Sequence, residues 1–237
     1  MKKYPLLSLG VLATIFAAQS VQSATIVAVD DNYVLNSASS TVQNADGNLV
    51  VKNASNNIRK SWLKFDLNGM DADLSQSGTV TLTLATTTSA DTSFKLALYA
   101  LDDTGVTAPT WTESTITWSN APGNDTGGSG IRGLESDETS LLGETDSIPA
   151  STAAGTQYQF TISTLSTYLQ SDNTITVIAI SSNQPDPGPA FNFASSENAT
   201  EAWRPTLEFT AIPEPSSAAL IGIAGFIAVA LRSRNRR

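Results

Sequence analysis

The sequence predicts an all-β fold, a single antiparallel β-sandwich of the jelly-roll kind. Apolar and polar residues alternate with a period of two in many short segments, the pattern of strands with one buried face. Turn-forming residues separate these segments, and only residues 164–170 have a helical pattern, about two turns long. Many short strands with turns between them favour a sandwich over a parallel α/β sheet.

Residues 61–67 show the alternation most clearly. Leu63 and Phe65 point to one side and are expected in the core, whereas Trp62 and Lys64 point to the other side, which meets solvent or ligand. Residues 121–156 have little periodicity and are predicted to form a long loop or a small insertion. The predicted strands are residues 26–29, 49–52, 61–67, 79–84, 94–100, 115–118, 158–162, 174–180, 191–194 and 206–210.

The amino terminus, residues 1–23, has the pattern of a secretory signal peptide. Two lysines precede the apolar residues 6–18, and small residues stand where a signal peptidase reads the chain before Ala24. The apolar stretch is shorter than the ~20 residues that a membrane-spanning helix needs. The alternative is a buried or membrane-anchored helix. The globular domain is then expected to comprise residues 24–211.

The carboxyl terminus, residues 212–237, combines three features in a fixed order. Pro213, Glu214 and Pro215 precede an apolar run at 216–231, and four arginines lie beyond it. The run predicts a short transmembrane helix whose arginines hold that end in the cytoplasm. This tail resembles the PEP-CTERM sorting signal, which implies export across the inner membrane, cleavage by an exosortase, and delivery to the cell surface or an extracellular matrix rich in exopolysaccharide. An ordinary tail anchor is the alternative.

Composition excludes several functions. The chain has no histidine and no cysteine, so disulfides, thiolate nucleophiles, Ser-His-Asp triads and Cys/His zinc sites are absent. Residues 24–212 contain 7 basic and 21 acidic residues, a net charge of −14. A surface of that sign repels nucleic acid, so no nucleic-acid partner is expected.

Five segments along the chain carry a family resemblance: residues 30–34 (DDNYV), 59–67 (RKSWLKFDL), 111–122 (WTESTITWSNAP), 193–197 (FASSE) and 204–207 (RPTL). Taken in this order, they resemble the DNRLRE domain, a family that includes carbohydrate-binding modules for alginate-like polysaccharide. The resemblance implies a β-sandwich and non-catalytic binding of a glycan. The family pattern commonly has an arginine where this chain has Ser196, which implies a neutral glycan, weak binding or a structural role.

Four residues at the start of the third predicted strand are the best candidates for glycan contacts. Trp62 and Lys64 share one face, and Arg59 and Lys60 lie just before them. An aromatic ring stacks on the apolar side of a sugar, and cations bind the carboxylates of uronic acids. The alternative is that Trp62 covers the outer layer of the sandwich while the cations pair with nearby carboxylates.

Other polar and aromatic residues are secondary candidates. Glu197 and Trp203 complete the predicted ligand contacts, whereas Trp111 and Trp118 are expected to pack a corner of the fold.

Acidic residues also suggest a structural Ca²⁺ site. Asp30 and Asp31, with Asp66 and Glu197, offer oxygen ligands of the kind that calcium prefers. The spacing is not that of an EF-hand, and solvated carboxylates are the alternative.

The sequence does not predict an enzyme, because no acidic residue stands in an apolar context that would raise its pKa for acid catalysis. The predicted function is an exported, non-catalytic, matrix-associated protein that binds polysaccharide. The alternative is a structural or adhesive surface protein without a specific glycan site.

Overall fold

Antiparallel strands account for all the strand pairing in the part of the chain that the computed structural model describes, residues 22–43, 46–54, 56–70, 73–86, 94–102, 111–127, 133–182 and 190–211. The strands are β1 (Gln22–Val27), β2 (Asp30–Leu35), β3 (Asn48–Val51), β4 (Arg59–Asp66), β5 (Gly78–Thr83), β6 (Leu96–Leu101), β7 (Thr139–Glu144), β8 (Gln157–Ile162), β9 (Thr174–Ser181), β10 (Phe191–Ala194) and β11 (Thr206–Ala211). Short 3-10 helices lie at Asn36–Ala38, Leu165–Thr167 and Glu201–Trp203.

The strands form two main sheets and a two-stranded ribbon. One sheet has the order β1-β11-β5-β8, the other has the order β2-β4-β9-β6-β7, and β3 pairs with β10. A bridge between Leu84 and Phe193 connects the ribbon to the end of β5. The prediction of an all-β antiparallel fold is confirmed, and the narrower jelly-roll assignment stays a prediction.

The main core fills the space between the two sheets. Leu63 and Phe65 on β4 are completely buried, as the alternation predicts, and Val80 on β5 and Leu207 on β11 come from the opposite sheet. Phe94 stacks on Phe191 with 3.9 Å between ring centroids. Burial of this apolar surface is the main source of stability in a chain without disulfides.

A second apolar cluster lies on the outer face of the five-stranded sheet. Residues 111–127, here called the covering segment, lie over this face and exclude water from it. Trp62 is 0% exposed, Lys60 1% and Lys64 7%. The expectation that this face of β4 meets solvent is therefore wrong. The cluster consists of Val34, Trp62, Ala97, Tyr99, Trp111, Ile116, Trp118, Ala121, Ile178 and Ile180.

The structure differs from the predicted elements in several places. No strand is predicted over residues 30–35, which form β2, because the buried residues of β2 include the polar Asp31 and Asn32. The predicted strand at 26–29 covers only the last two residues of β1 and the connection after it.

Residues 115–118 connect two turns and form no strand, because the Thr112 carbonyl accepts hydrogen bonds from the amides of Thr115 and Ile116. The predicted loop at 121–156 contains β7, an edge strand whose side chains are mostly half-buried or exposed and so lack clear alternation. The helical pattern at 164–170 produces only the 3-10 turn Leu165–Thr167.

Residues 1–21 of the predicted signal peptide and the predicted apolar helix at 216–231 lie outside the described residues. Within the described residues, no helix has the length and apolar character required to cross a bilayer. Strand β1 begins at Gln22, two residues before the predicted mature start at Ala24. Residues Gln22–Ile212 form one compact unit.

Candidate functional site

A pocket of about 390 Å³ lies at β2, the edge strand of the five-stranded sheet. This volume falls within the range of small-molecule sites, roughly 300–1,000 Å³. Strand β2 supplies two lining residues, and three loops supply the others. The lining residues are Asp31, Asn32, Val42, Gln43, Asp46, Glu113, Ser114 and Glu197.

Asn32 fixes two walls of the pocket to β2. Its buried side-chain nitrogen, Nδ2, donates hydrogen bonds to the carbonyl oxygens of Gln43, at 2.7 Å, and of Glu113, at 2.8 Å. Its Oδ1 accepts a hydrogen bond from the amide of Tyr33 at 2.8 Å. Asn32 is therefore a positioning residue that holds the backbones of Gln43 and Glu113 on two sides of one space.

The third wall is the turn that follows β10. The amide of Ser196 donates to Asp31 Oδ2 at 2.7 Å, which places Glu197 beside the pocket. Nδ2 of Asn198 donates to the carbonyl of Gly47 at 2.6 Å. This second bond ties the turn to the loop that carries Asp46.

Asp31 has an unusual environment. The residue is 1% exposed, and within the described part of the chain its Oδ1 has no hydrogen-bond partner. Burial, which is the largest cause, and the nearby charge of Glu197 together raise the pKa of Asp31 to about 7, although the hydrogen bond from Ser196 acts in the opposite direction. A buried carboxylate oxygen without a donor is costly, so this atom favours a ligand or a proton.

Like charges surround this carboxylate. Four of the eight lining residues are acidic, Asp31, Asp46, Glu113 and Glu197, and none of the eight is basic. Burial raises the pKa of Glu113, and the charges of Glu197 and Asp30 raise it further. The pocket therefore has a negative electrostatic potential, which favours hydroxyl groups or cations over anions.

Lys60, a predicted glycan contact, is instead enclosed by the fold. Its Nζ donates to Asn124 Oδ1 at 2.7 Å and to the Gly133 carbonyl, and lies 4.5 Å from the Trp118 ring centroid. Burial lowers the pKa of Lys60 to about 7, and the charge of Asp125 opposes this shift. The ammonium group holds the covering segment against β4.

Lys64 and Trp62 have similar internal partners. Lys64 Nζ donates to the Trp111 carbonyl, lies 4.6 Å from the Trp111 ring centroid and forms an ion pair with Asp30 at 3.5 Å. Trp62 Nε1 donates to the carbonyl of Pro122 at 3.0 Å. Their predicted contact with glycan stays untested, but each polar atom already has a partner within the fold.

The other predicted contacts are dispersed. Glu197 lines the pocket, whereas half-buried Arg59 lies 5.7 Å from the Tyr33 ring centroid and donates to Asn57 Oδ1 at 3.2 Å. Half-buried Trp203 lies against Gly155 and does not line the pocket. Trp111 and Trp118 are buried, as predicted.

The predicted calcium ligands do not meet at one point. Asp30 is paired with Lys64 and accepts a hydrogen bond from the Glu113 amide at 3.2 Å, whereas Asp66 accepts one from the Asn68 amide at 2.8 Å. In the described part of the chain, no three Asp or Glu side chains are placed to share one metal ion. The calcium site at Asp30 and Asp31 stays a prediction.

Sequence reasoning missed most of the pocket. Asn32 and Glu113 lie in two segments that resemble the DNRLRE domain, but neither was proposed as a site residue. A polar Asn at a buried strand position is the signal that could have identified Asn32. Gln43 and Asp46 lie in a loop whose sequence has no such signal.

The fold is a β-sandwich with a pocket at the edge of its five-stranded sheet. Residues 22–140 match the model of carbohydrate-binding module family 96, and the chain belongs to this family. Residues 211–237 match the PEP-CTERM protein-sorting motif, which indicates export and exosortase-dependent sorting. The predicted resemblance is thus confirmed for a carbohydrate-binding module with a sorting motif, and the narrower DNRLRE name stays a prediction.

Similarity to individual proteins is low. One solved structure is the CBM22-1-GH10 modules of the Clostridium thermocellum endo-1,4-beta-D-xylanase 10B complexed with xylohexaose, at 10% identity and a TM-score of 0.28. The match covers 77% of this chain and 29% of the xylanase chain, so this chain spans less than a third of that length. No curated protein matches.

Proposed function

We propose that this exported protein binds polysaccharide without catalysis, and that the pocket at the edge of β2 is the binding site. The match to a carbohydrate-binding module family over residues 22–140 carries this proposal. Seven of the eight lining residues fall inside the matched range, and Glu197 is the exception.

The chemistry of the pocket suits a sugar. Carboxylate oxygens accept hydrogen bonds from sugar hydroxyls, and the fixed loops hold these acceptors in place before a ligand arrives. Val42, 38% exposed at the rim, offers an apolar surface for the less polar face of a pyranose. This assignment moves the proposed contacts from Arg59, Lys60, Trp62 and Lys64 to the pocket.

Catalysis is not part of the proposal. The matched family is one of carbohydrate-binding modules, which bind sugars without cleaving them. We therefore expect no release of reducing ends when the protein is incubated with a glycan that it binds.

The sorting motif supports a location outside the cytoplasm for the proposed binding. We propose that residues 1–23 are removed as a signal peptide and that the helix at 216–231 enters the inner membrane only transiently. An exosortase then cleaves near Pro213, Glu214 and Pro215. The mature domain is delivered to the cell surface or to a matrix whose exopolysaccharide is the ligand.

The structural or adhesive alternative is favoured by one observation. The polar atoms of Lys60, Trp62 and Lys64, which the sequence predicts as glycan contacts, hold the covering segment. A protein of this kind would keep its fold and bind no glycan.

Affinity electrophoresis of the full-length protein in gels with neutral or charged polysaccharides tests the proposal. At least one polysaccharide should retard the protein. Ser114→Trp, which fills the pocket from its exposed rim, should abolish the retardation. Ser171→Trp, at another exposed turn, is the matched control and should not. Equal mobility of both variants in every gel would contradict the pocket as the site.

A further inference from the structure

The charge of the pocket restricts the glycans that it can hold. Asp31, Asp46, Glu113 and Glu197 line one space of about 390 Å³ with no lining cation. The charge of Glu197 acts on both Asp31 and Glu113. A neutral sugar would supply hydrogen bonds but would leave this repulsion in place, and a uronate would add to it.

An independent observation points to a bound positive charge. The carboxylate of Asp31 forms the floor of the pocket, and its Oδ1 has no hydrogen-bond partner among the described residues. The partner that most strongly stabilises a buried anionic oxygen is a cationic donor. The hydrogen bond from Ser196 satisfies only the other oxygen.

The distribution of the carboxylates indicates the size of that cation. They lie on β2 and on three separate loops around a sugar-sized space, and no three acidic side chains in the described residues are placed around one ion. A sugar ring that carries an ammonium group matches this arrangement better than a bare metal ion. Its hydroxyls reach the rim while its amine lies among the acids.

We infer that the pocket takes a glycan with free amino groups, of the class of de-N-acetylated amino-sugar oligosaccharides. This inference rests on the proposed function, because it names the ligand class of the same site. Each amine forms charge-assisted hydrogen bonds with the pocket carboxylates and relieves the repulsion between them.

The test compares three probes by calorimetric titration of the full-length protein at about pH 7, where aliphatic amines are charged and Asp31, with a pKa of about 7, is partly ionised. The probes are a glucosamine oligosaccharide, the N-acetylglucosamine oligosaccharide of the same length, and an oligouronate with and without Ca²⁺. The first probe should bind at least about tenfold more tightly than the second, the effect expected when one charged hydrogen bond is gained.

Two variants separate the pocket from the general acidity of the surface. Glu113→Gln, at the exposed rim, should weaken binding of the glucosamine oligosaccharide by about tenfold. Glu208→Gln removes one charge from exposed β11, outside the pocket, and should leave the affinity unchanged. Equal losses in the two variants would show non-specific attraction and overturn the inference.

The remaining outcomes separate the inference from the proposed function. Equal or tighter binding of the N-acetylated probe overturns the amine assignment but supports carbohydrate binding. Binding of the oligouronate only with Ca²⁺ also overturns the assignment and replaces it with a metal-bridged site. Binding of none of the probes, together with no retardation by any polysaccharide, overturns both.

Discussion

Two regions of this protein bury charge in opposite ways. Beneath the covering segment, Lys60 is 1% exposed and has two hydrogen-bond acceptors and the face of Trp118. At the pocket, Asp31 is equally buried, but only one of its oxygens has a donor among the described residues. The cation is satisfied by the fold, and the anion is not.

This difference supports the proposal that one region is structural and the other binds a ligand. A buried charge whose partners are all supplied by the protein holds segments together, as Lys60 and Lys64 do for the covering segment. A buried charged oxygen without a hydrogen-bond donor lowers the stability of the fold unless a ligand or a proton binds to it. The comparison is therefore consistent with a folding role for the outer face of β4 and with the proposed binding role of the pocket.

Trp62→Ala should have the largest effect on stability. The ring is completely buried beneath the covering segment, so its loss should lower the free energy of unfolding by about 3–5 kcal/mol. Denaturant titration measures this change, and Trp62→Phe should lose much less because it keeps most of the volume. Loss of glycan retention by folded Trp62→Ala protein would contradict a purely structural role for the outer face of β4, since it would give this face a role in binding.

Asp31→Asn should raise stability at about pH 8, by on the order of 1–3 kcal/mol, because it removes an unsatisfied buried charge. Asp31 has its pKa raised from 3.8 to about 7, so between about pH 4 and pH 7 the folded state binds more protons than the unfolded state. Stability should therefore rise as the pH falls from about 7 to about 4. The melting temperature, measured at several pH values in this range, should depend less on pH in the variant. An equal dependence on pH in the variant and the unaltered protein would contradict the assignment.

Lys60 provides the opposite control for this titration. Burial lowers its pKa from 10.5 to about 7, so above about pH 7 the folded state releases a proton that the unfolded state keeps. Its contribution to stability should rise from about pH 7 to about pH 10. Lys60→Met should remove the rise in stability above about pH 7. It should preserve the rise in stability below about pH 7 that Asp31 causes.

Arg59→Ala should have the smallest effect, about 0.5–1 kcal/mol, the lower part of the range for a cation–π contact, because half-buried Arg59 makes such a contact with Tyr33. Arg59 lies in neither of the two regions, so glycan retention in affinity gels should not change. Weaker retention with unaltered stability would indicate that Arg59 contacts the glycan, as the sequence predicts.

Local sequence patterns were sufficient to predict most of the strands and the sorting motif. The period-two alternation placed most of the strands, including Leu63 and Phe65 on the core face of β4. The order of the terminal features identified the sorting motif at residues 211–237. Both signals lie within short segments, so no knowledge of distant contacts is needed to read them.

The covered surfaces and the position of the pocket can be recognised only in the tertiary structure. Alternation places Trp62 opposite the core, but it cannot show that residues 111–127 fold over that side and bury it. Likewise, the bond from Asn32 to the Glu113 carbonyl joins residues 81 positions apart. Such contacts form when loops from distant parts of the chain meet at one strand edge, and a short sequence pattern does not record that meeting.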